Sequence, residues 1–388
     1  MSRDPSTLLA HVGRDPFANH GIVNPPVYHA STILYPTLAA LEEAERTPYE
    51  GTRYGRRGTP TTFALQDAVA KLEGGYRCVA LSSGLAAITT ALLAFLTAGD
   101  HLLMVDTTYG PVRRFCDTLL KGLGIETTYY DPLADPAPLL RPNTRVVYLE
   151  CPGSLTFEVQ DIARAAASAR AAGAVSILDN TWSAGLYLQP FELGVDVSIQ
   201  AATKYIVGHS DVMLGTITTT EPCWLRVRRA SALLGAAAAP DDCYLALRGM
   251  RTLATRLDRH QRTAIEIAHW LETRPEVVRV LHPALPSCPG HEIWRRDFSG
   301  SNGLLSVVLR PTSRAGLAAM LDGMSLFRMG YSWGGFESLI VPFDPHSVRT
   351  ATRWTDNGPC LRLHCGLENT KDLVADLEAG LVRLGAAS

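Results

Sequence analysis

The sequence predicts an α/β protein: a mostly parallel sheet sandwiched by helices, with an N-terminal arm and a smaller α+β C-terminal domain. Three observations carry the prediction. From about residue 60 to residue 200, short apolar runs alternate with stretches of helical period, the pattern of a parallel sheet covered on both faces. Residues 1–57 are rich in Pro, Tyr, Arg and Gly and hold no sustained period. Past about residue 245 the period turns mostly helical, with strands and a last helix to follow.

The elements follow in order. The arm, residues 1–57, carries one short acidic helical patch near Leu38–Glu45 and no core of its own, so it is expected to wrap a neighbouring subunit. The α/β domain is expected over residues 58–245. Thr62–Leu72 has apolar residues at helical spacing and stops at Gly74-Gly75. Cys78–Leu81, Leu102–Val105, Thr127–Tyr130, Val146–Leu149, Val175–Leu178 and Val197–Gln200 read as buried strands. Leu85–Leu96, Gly110–Leu123 and Asp161–Ala172 read as helices, and the Ala run Leu233–Pro240 as a mobile connection. A C-terminal domain, residues 246–388, is expected to hold the helix Leu253–Leu271, strands near Leu304–Leu309 and the helix Thr370–Leu384.

Composition narrows the function. With 388 residues, 46% of them apolar, the chain can bury a sizeable core without disulfides or metal. A net charge of -2 lacks the basic footprint of a nucleic-acid binder. None of the eight cysteines forms a C-x-x-C pair, so no zinc ribbon is expected and the thiols read as buried in a reducing compartment. Met1–Phe17 has no apolar h-region, and the longest apolar stretch, Ala91–Leu96, is too short to span a bilayer. A cytoplasmic protein with no membrane contact is the expectation.

Lysine is scarce, which makes an oddly placed one conspicuous. Lys71, Lys121 and Lys371 sit at solvated helix positions. Lys204 instead follows a buried strand, in A-A-T-K-Y-I-V-G-H-S-D, and faces the crevice where α/β sheets bind ligands. Asp179 ends the strand before it. Ser82-Ser83-Gly84-Leu85 follows another strand and opens a helix, a backbone site for phosphate. Tyr109, just past a fourth strand, offers an aromatic face. Each piece alone has a plainer reading, as a solvated residue or a helix cap. Together they supply what pyridoxal phosphate needs: an amine for its aldehyde, an acid for its ring nitrogen, an anion site and a stacking ring.

Seven segments then carry a resemblance along almost the whole chain: Tyr54–Thr61 (Y-G-R-R-G-T-P-T), Ser82–Ile88 (S-S-G-L-A-A-I), Glu150–Ser154 (E-C-P-G-S), Asp179–Trp182 (D-N-T-W), Thr203–Asp211 (T-K-Y-I-V-G-H-S-D), Ser332–Leu339 (S-W-G-G-F-E-S-L) and Arg362–Glu368 (R-L-H-C-G-L-E). The chain resembles the Cys/Met-metabolism family of pyridoxal-phosphate enzymes, fold type I. The resemblance implies that Lys204 holds the cofactor covalently and moves protons, Asp179 pairs with the pyridine nitrogen and Tyr109 stacks on the ring. It further implies that Ser83, Gly84, Leu85 and Thr203 form the phosphate site, with Tyr54 and Arg56 reaching it from a neighbouring subunit. Ser332 and Arg362 would hold the substrate α-carboxylate beside Trp333 and Tyr54. Relatives are homotetramers, dimers of dimers that share active sites, so a homo-oligomer is expected.

Within the family, Trp333 and the string Pro152–Val159 resemble the cystathionine β-lyases; γ-type members carry a smaller aliphatic residue at the first and an Asn-Pro at the second. The implied reaction is β-elimination of L-cystathionine to homocysteine, the precursor of methionine, with pyruvate and ammonia. Two departures stand out. Ala201 occupies a position where many relatives have Ser. Arg114 stands in a region where some β-lyases place an acid for the distal ammonium, with Asp117 a turn away. A γ-lyase or γ-synthase, or a C–S lyase acting on another cysteine S-conjugate, is therefore the alternative. A non-catalytic cofactor-binding regulator is the reading from a different class; Lys204, Asp179 and Arg362 together argue against it. Arg362 also reads as the polar side of a strand, Trp333 as core packing, and His209 as a buried, satisfied histidine.

Overall fold

The computed structural model describes residues 4–386. The first three residues of the expected arm and the last two of the expected C-terminal domain lie outside the described residues. Seven strands build the larger sheet: β1 Arg77–Leu81, β2 His101–Val105, β3 Glu126–Tyr130, β4 Thr144–Glu150, β5 Val175–Asp179, β6 Val197–Gln200 and β7 Gly215–Thr219. Their spatial order is β1-β7-β6-β5-β4-β2-β3. The run β6-β5-β4-β2-β3 is parallel, and β7 lies antiparallel to both β1 and β6. The parallel strands are near-continuous apolar runs because helices cover both faces; every residue of β2 is buried. The helix Pro60–Glu73 packs against β1 and β7, the helix Gly84–Phe95 against β6 and β7, and the helix Ile162–Ala171 against β4 and β5.

The strand missing from the sequence reading is β7. Its residues, G-T-I-T-T, hold one large apolar side chain, yet all five are buried. The hydroxyls of Thr216, Thr218 and Thr219 are buried without a hydrogen-bond partner. β-Branched threonine suits a strand, but a search for apolar runs passes over it. The expected helix Gly110–Leu123 is continuous over residues 110–122: α-helical over Gly110–Phe115, π-type over Cys116–Leu120 and α-helical again at 121–122. The Ala run joins two helices not anticipated, Glu221–Leu233 and Pro240–Met250, and the second packs against Pro60–Glu73.

The second sheet comprises β8 Val277–Leu281, β9 Leu304–Leu309, β10 Arg328–Met329, β11 Leu339–Phe343 and β12 Cys360–His364, in the order β10-β11-β12-β9-β8. All its pairings are antiparallel except β10 with β11. Its apolar face is covered by the helices Leu253–Glu272 and Thr370–Ala386. All eight cysteines are buried free thiols. Among the described residues no helix is long and apolar enough to cross a membrane.

The arm differs from the rest of the chain. Residues 14–57 contain no buried residue, and Phe17, Leu34 and Leu38 are 94%, 87% and 70% exposed. The helix Leu38–Arg46 forms where the acidic patch was expected, with Thr37 capping it through Ala40 N–H at 3.1 Å.

Candidate active site

One cavity of about 390 Å³ opens at the carboxyl ends of β1, β4, β5 and β6, where the topology of an open α/β sheet places ligands. It is lined by Ser83, Gly84, Leu85, Tyr109, Asp179, Thr203, Lys204, Ser332, Trp333 and Arg362. Ten of the twelve residues singled out in the sequence thus meet at one place. The other two do not reach it. Tyr54 is 46% exposed, and Arg56 donates to Ala232 O at 2.9 Å.

Asp179 closes β5 and sits in register with Glu150 at the end of β4. Burial raises the Asp179 pKa, while hydrogen bonds from Thr181 and the charge of Lys204 pull it down. Its Oδ1 accepts Thr181 N–H at 3.0 Å, which fixes the carboxylate at the strand end. Lys204 lies in the turn after β6, and its Nζ is 5.0 Å from the Trp333 ring centroid. Burial, then the charge of Arg362, lowers its pKa from 10.5 to about 8; Asp179 opposes them. A desolvated amine with a pKa near neutrality is a serviceable base.

Ser83 is the N-cap of the helix Gly84–Phe95 and accepts Ala86 N–H at 3.1 Å. The first-turn N–H groups of Gly84 and Leu85 have no partner inside the helix, so this end suits an anion. Gly84 must lack a side chain: a Cβ there would lie 2.5 Å from the Ala201 Cβ. Ala201 thus packs directly under the helix end. The Thr203 hydroxyl donates to Leu214 O at 3.1 Å and accepts Leu214 N–H at 2.8 Å, which fixes the side chain at the cavity wall.

Tyr109 precedes the helix Gly110–Phe115, and its N–H donates to Glu150 Oε2 at 2.6 Å. Burial, then the charges of Glu150 and Asp179, raises its phenol pKa, so the hydroxyl keeps its proton. From the second sheet, Arg362 Nη2 donates to Ser332 O at 2.8 Å. Arg362 Nε and Ser332 Oγ are both buried without a partner. Leu361, Arg362 and Leu363 are all buried, so Arg362 is not the solvent side of its strand. His209 is exposed rather than buried, its Nδ1 2.7 Å from Val207 O, and it does not line the cavity. Arg114 and Asp117 do not line it either; Asp117 accepts from the Tyr129 hydroxyl at 2.7 Å.

The family model of the Cys/Met metabolism PLP-dependent enzymes matches residues 6–382. The chain belongs to that family. It is 44% identical to the cystathionine β-lyase MetC of Escherichia coli over 97% of this chain and 98% of that one. It is 40% identical to the L-alanine/L-glutamate racemase of Wolbachia pipientis, over 97% of each. Among solved structures it matches the cystathionine γ-synthase of Xanthomonas oryzae pv. oryzae in complex with cystathionine, at 30% identity and a TM-score of 0.90, each chain covered over its full length.

The cavity fits the cofactor of this PLP-dependent family. It offers one half-buried lysine amine, an acid at the neighbouring strand end, a helix N-terminus and an aromatic ring. The orphaned Arg362 Nε and Ser332 Oγ add a donor pair suited to a carboxylate. The sequence reading gave no role to Glu150, although the signal that found Asp179, an acid closing a buried strand, was there. Leu155 and Phe157, quoted there only within the string Pro152–Val159, and Leu304, given no role there, are apolar walls of the cavity.

Proposed function

We propose that this chain is a cystathionine β-lyase, cleaving the Cβ–S bond of L-cystathionine to give homocysteine, pyruvate and ammonia. The observation that carries the reading is the meeting of Lys204, Asp179, Ser332 and Arg362 in one cavity of a chain 44% identical, nearly end to end, to a cystathionine β-lyase. Bound pyridoxal phosphate supplies an aldehyde for the lysine or substrate amine and a protonated ring that draws electron density from Cα.

Each role has a physical basis. Lys204 would hold the cofactor through its side-chain amine and, as a free amine, would be the base that takes the Cα proton; its pKa near 8 suits both. Asp179 keeps the proton on the ring nitrogen, because a cation beside it favours the charged carboxylate that burial opposes. Gly84 and Leu85 bind the phosphate with main-chain N–H groups, helped by the dipole of their helix. Thr203 borders the same anion site. Tyr109 stacks on the ring and can pass its proton to the departing thiolate. Arg362 and Ser332 hold the α-carboxylate, and Trp333 walls the substrate chamber. The three-carbon fragment left after the thiolate departs takes up water and yields pyruvate and ammonia.

Tyr54 and Arg56 act in trans. Support comes from an arm with no buried residue over 14–57 and with large apolar side chains exposed, as expected of a surface that packs on a second copy. The assembly is a homo-oligomer, a tetramer built as a dimer of dimers.

The test is to supply L-cystathionine to the holoprotein and identify the keto acid. Pyruvate supports β-elimination. 2-Oxobutyrate means γ-elimination and overturns the assignment. D-Alanine formed from L-alanine, with no keto acid from cystathionine, would favour the activity in the name of the Wolbachia relative.

A further inference from the structure

Strand β12 grips the cavity loop at two points. Arg362 holds Ser332 O, as described. His364, two residues along and on the same strand face, holds the other end. Its Nε2 accepts Gly334 N–H at 3.2 Å, and its Nδ1 is 3.1 Å from Glu337 O. A carbonyl oxygen can only accept, so Nδ1 carries the proton and Nε2 is the bare acceptor. The ring is therefore neutral and bridges the loop through both nitrogens. It is fully buried and packed against the rings of Tyr205 at 5.8 Å and His260 at 5.2 Å. Burial, with His260, Arg362 and Lys204 nearby, holds its pKa far below the ordinary histidine value.

What His364 holds bears directly on the lysine. Gly334 has φ +93, and a Cβ there would lie 2.9 Å from Lys204 Cα and C. Its main chain rests on the Lys204 backbone. The preceding Trp333 ring lies 5.0 Å from Lys204 Nζ and 5.5 Å from the Tyr205 ring. The far end of the loop is tied to the segment after Lys204 by the Ser210 hydroxyl on the Glu337 carboxylate at 2.6 and 2.7 Å. A shift of the Gly334 N–H thus moves Trp333 away from the lysine.

We infer that His364 is a positioning residue for substrate selection: its bare Nε2 fixes Gly334 and thereby sets Trp333 over Lys204. The inference rests on the cavity being a thioether β-lyase site, and it assigns to His364 a task that packing alone does not require.

The test compares two substitutions in the holoenzyme, each keeping one half of the bridge. In His364→Gln the amide oxygen reaches the Nε2 position and accepts Gly334 N–H. In His364→Asn the amide nitrogen reaches the Nδ1 position and serves Glu337 O alone. The expected result is a kcat/KM for L-cystathionine about tenfold lower in the Asn variant than in the Gln variant, the size of one buried hydrogen bond. Most of the loss falls in KM, and the two melting temperatures stay alike. Equal losses in step with melting temperature, or no loss in either, overturn the inference. Should neither variant fold, the tautomer of His364 in the wild-type holoenzyme is read by 15N NMR: a bare Nε2 supports the inference and a protonated Nε2 overturns it. A wild type that releases no pyruvate rejects the β-lyase reading instead. The variants are then compared by cofactor retention on dilution, where faster loss from the Asn variant supports the inference and equal rates overturn it.

Discussion

Replacing Arg362 should push stability and activity in opposite directions. Its guanidinium is 7% exposed, has one hydrogen bond, to Ser332 O, and keeps Nε unpaired. Burial lowers its pKa from 12.5 to about 10. A depression of that size means the charge is held about 3 kcal/mol less favourably than in water. Arg362→Met keeps most of the volume and removes the charge. It also leaves Ser332 O without its donor, at a cost of about 1–3 kcal/mol. The balance is a protein of equal or greater stability, with a Tm higher by roughly 0–3 °C. The same change removes the proposed carboxylate clamp. Losing a pair of charge-assisted hydrogen bonds, each worth about 1.5–3 kcal/mol, lowers kcat/KM by about 100-fold or more.

The assay pairs thermal melts of the cofactor-free protein with pyruvate release from L-cystathionine. The pH dependence follows from the sign of the shift. A cation with a depressed folded pKa destabilises the fold fully below that pKa, so at pH 7 the whole penalty is present. It fades only as pH rises through 10 toward 12.5. The titration of Arg362 itself therefore adds no slope to the Tm difference across neutral pH; a slope near pH 8 comes from Lys204, whose pKa Arg362 lowers. A variant that melts several degrees lower while keeping its kcat/KM would refute the reasoning and make Arg362 a structural residue.

Further outcomes are expected. Lys204→Ala should lose both the visible absorbance of covalently held cofactor and pyruvate release; a variant that keeps the absorbance would assign the anchor to another lysine. Because Asp179 raises the Lys204 pKa, Asp179→Asn should lower the pKa of the free Lys204 amine below about 8, read from the pH dependence of amine labelling in the cofactor-free protein; an unchanged or higher value would remove that coupling. Gly84→Ala, which puts a Cβ 2.5 Å from Ala201 Cβ, should weaken cofactor affinity by about 10-fold or more, read by equilibrium titration. Arg56→Ala should speed cofactor loss on dilution, and unchanged retention would remove its role across the subunit boundary.

Much of the architecture was legible because its chemistry is local. Strands β2, β4, β5 and β6 announce themselves as apolar runs, and Lys204, Asp179 and Tyr109 each stand at a strand end that the runs define. Strand β7 was hidden because three of its five residues are threonines, buried by position between β1 and β6 rather than by hydropathy. His364 was hidden for a different reason. It stands in a quoted motif, but its task depends on Gly334, thirty residues away, and on which ring nitrogen is bare. Glu150 was hidden by its neighbour: an acid closing β4 looks ordinary until β5 brings Asp179 alongside it.

That pairing shows how the cavity is poised. Burial pushes four ionisable groups facing it toward neutrality: Lys204 and Arg362 downward, Asp179 and Glu150 upward. Each charge is held at a cost that its neighbours only partly offset. In the proposed reading, a protonated ring nitrogen against Asp179 would relieve one of them, and an α-carboxylate against Arg362 would relieve another. Cofactor and substrate thus meet groups already desolvated and oriented, so little reorganisation is required when charge develops. Glu150 stands beside the Asp179 carboxylate at the next strand end, its Oε2 accepting Tyr109 N–H at 2.6 Å. Burial and the charge of Asp179 push its pKa well above the usual carboxylate range, while the hydrogen bonds from Tyr109 N–H and the Thr108 hydroxyl oppose them.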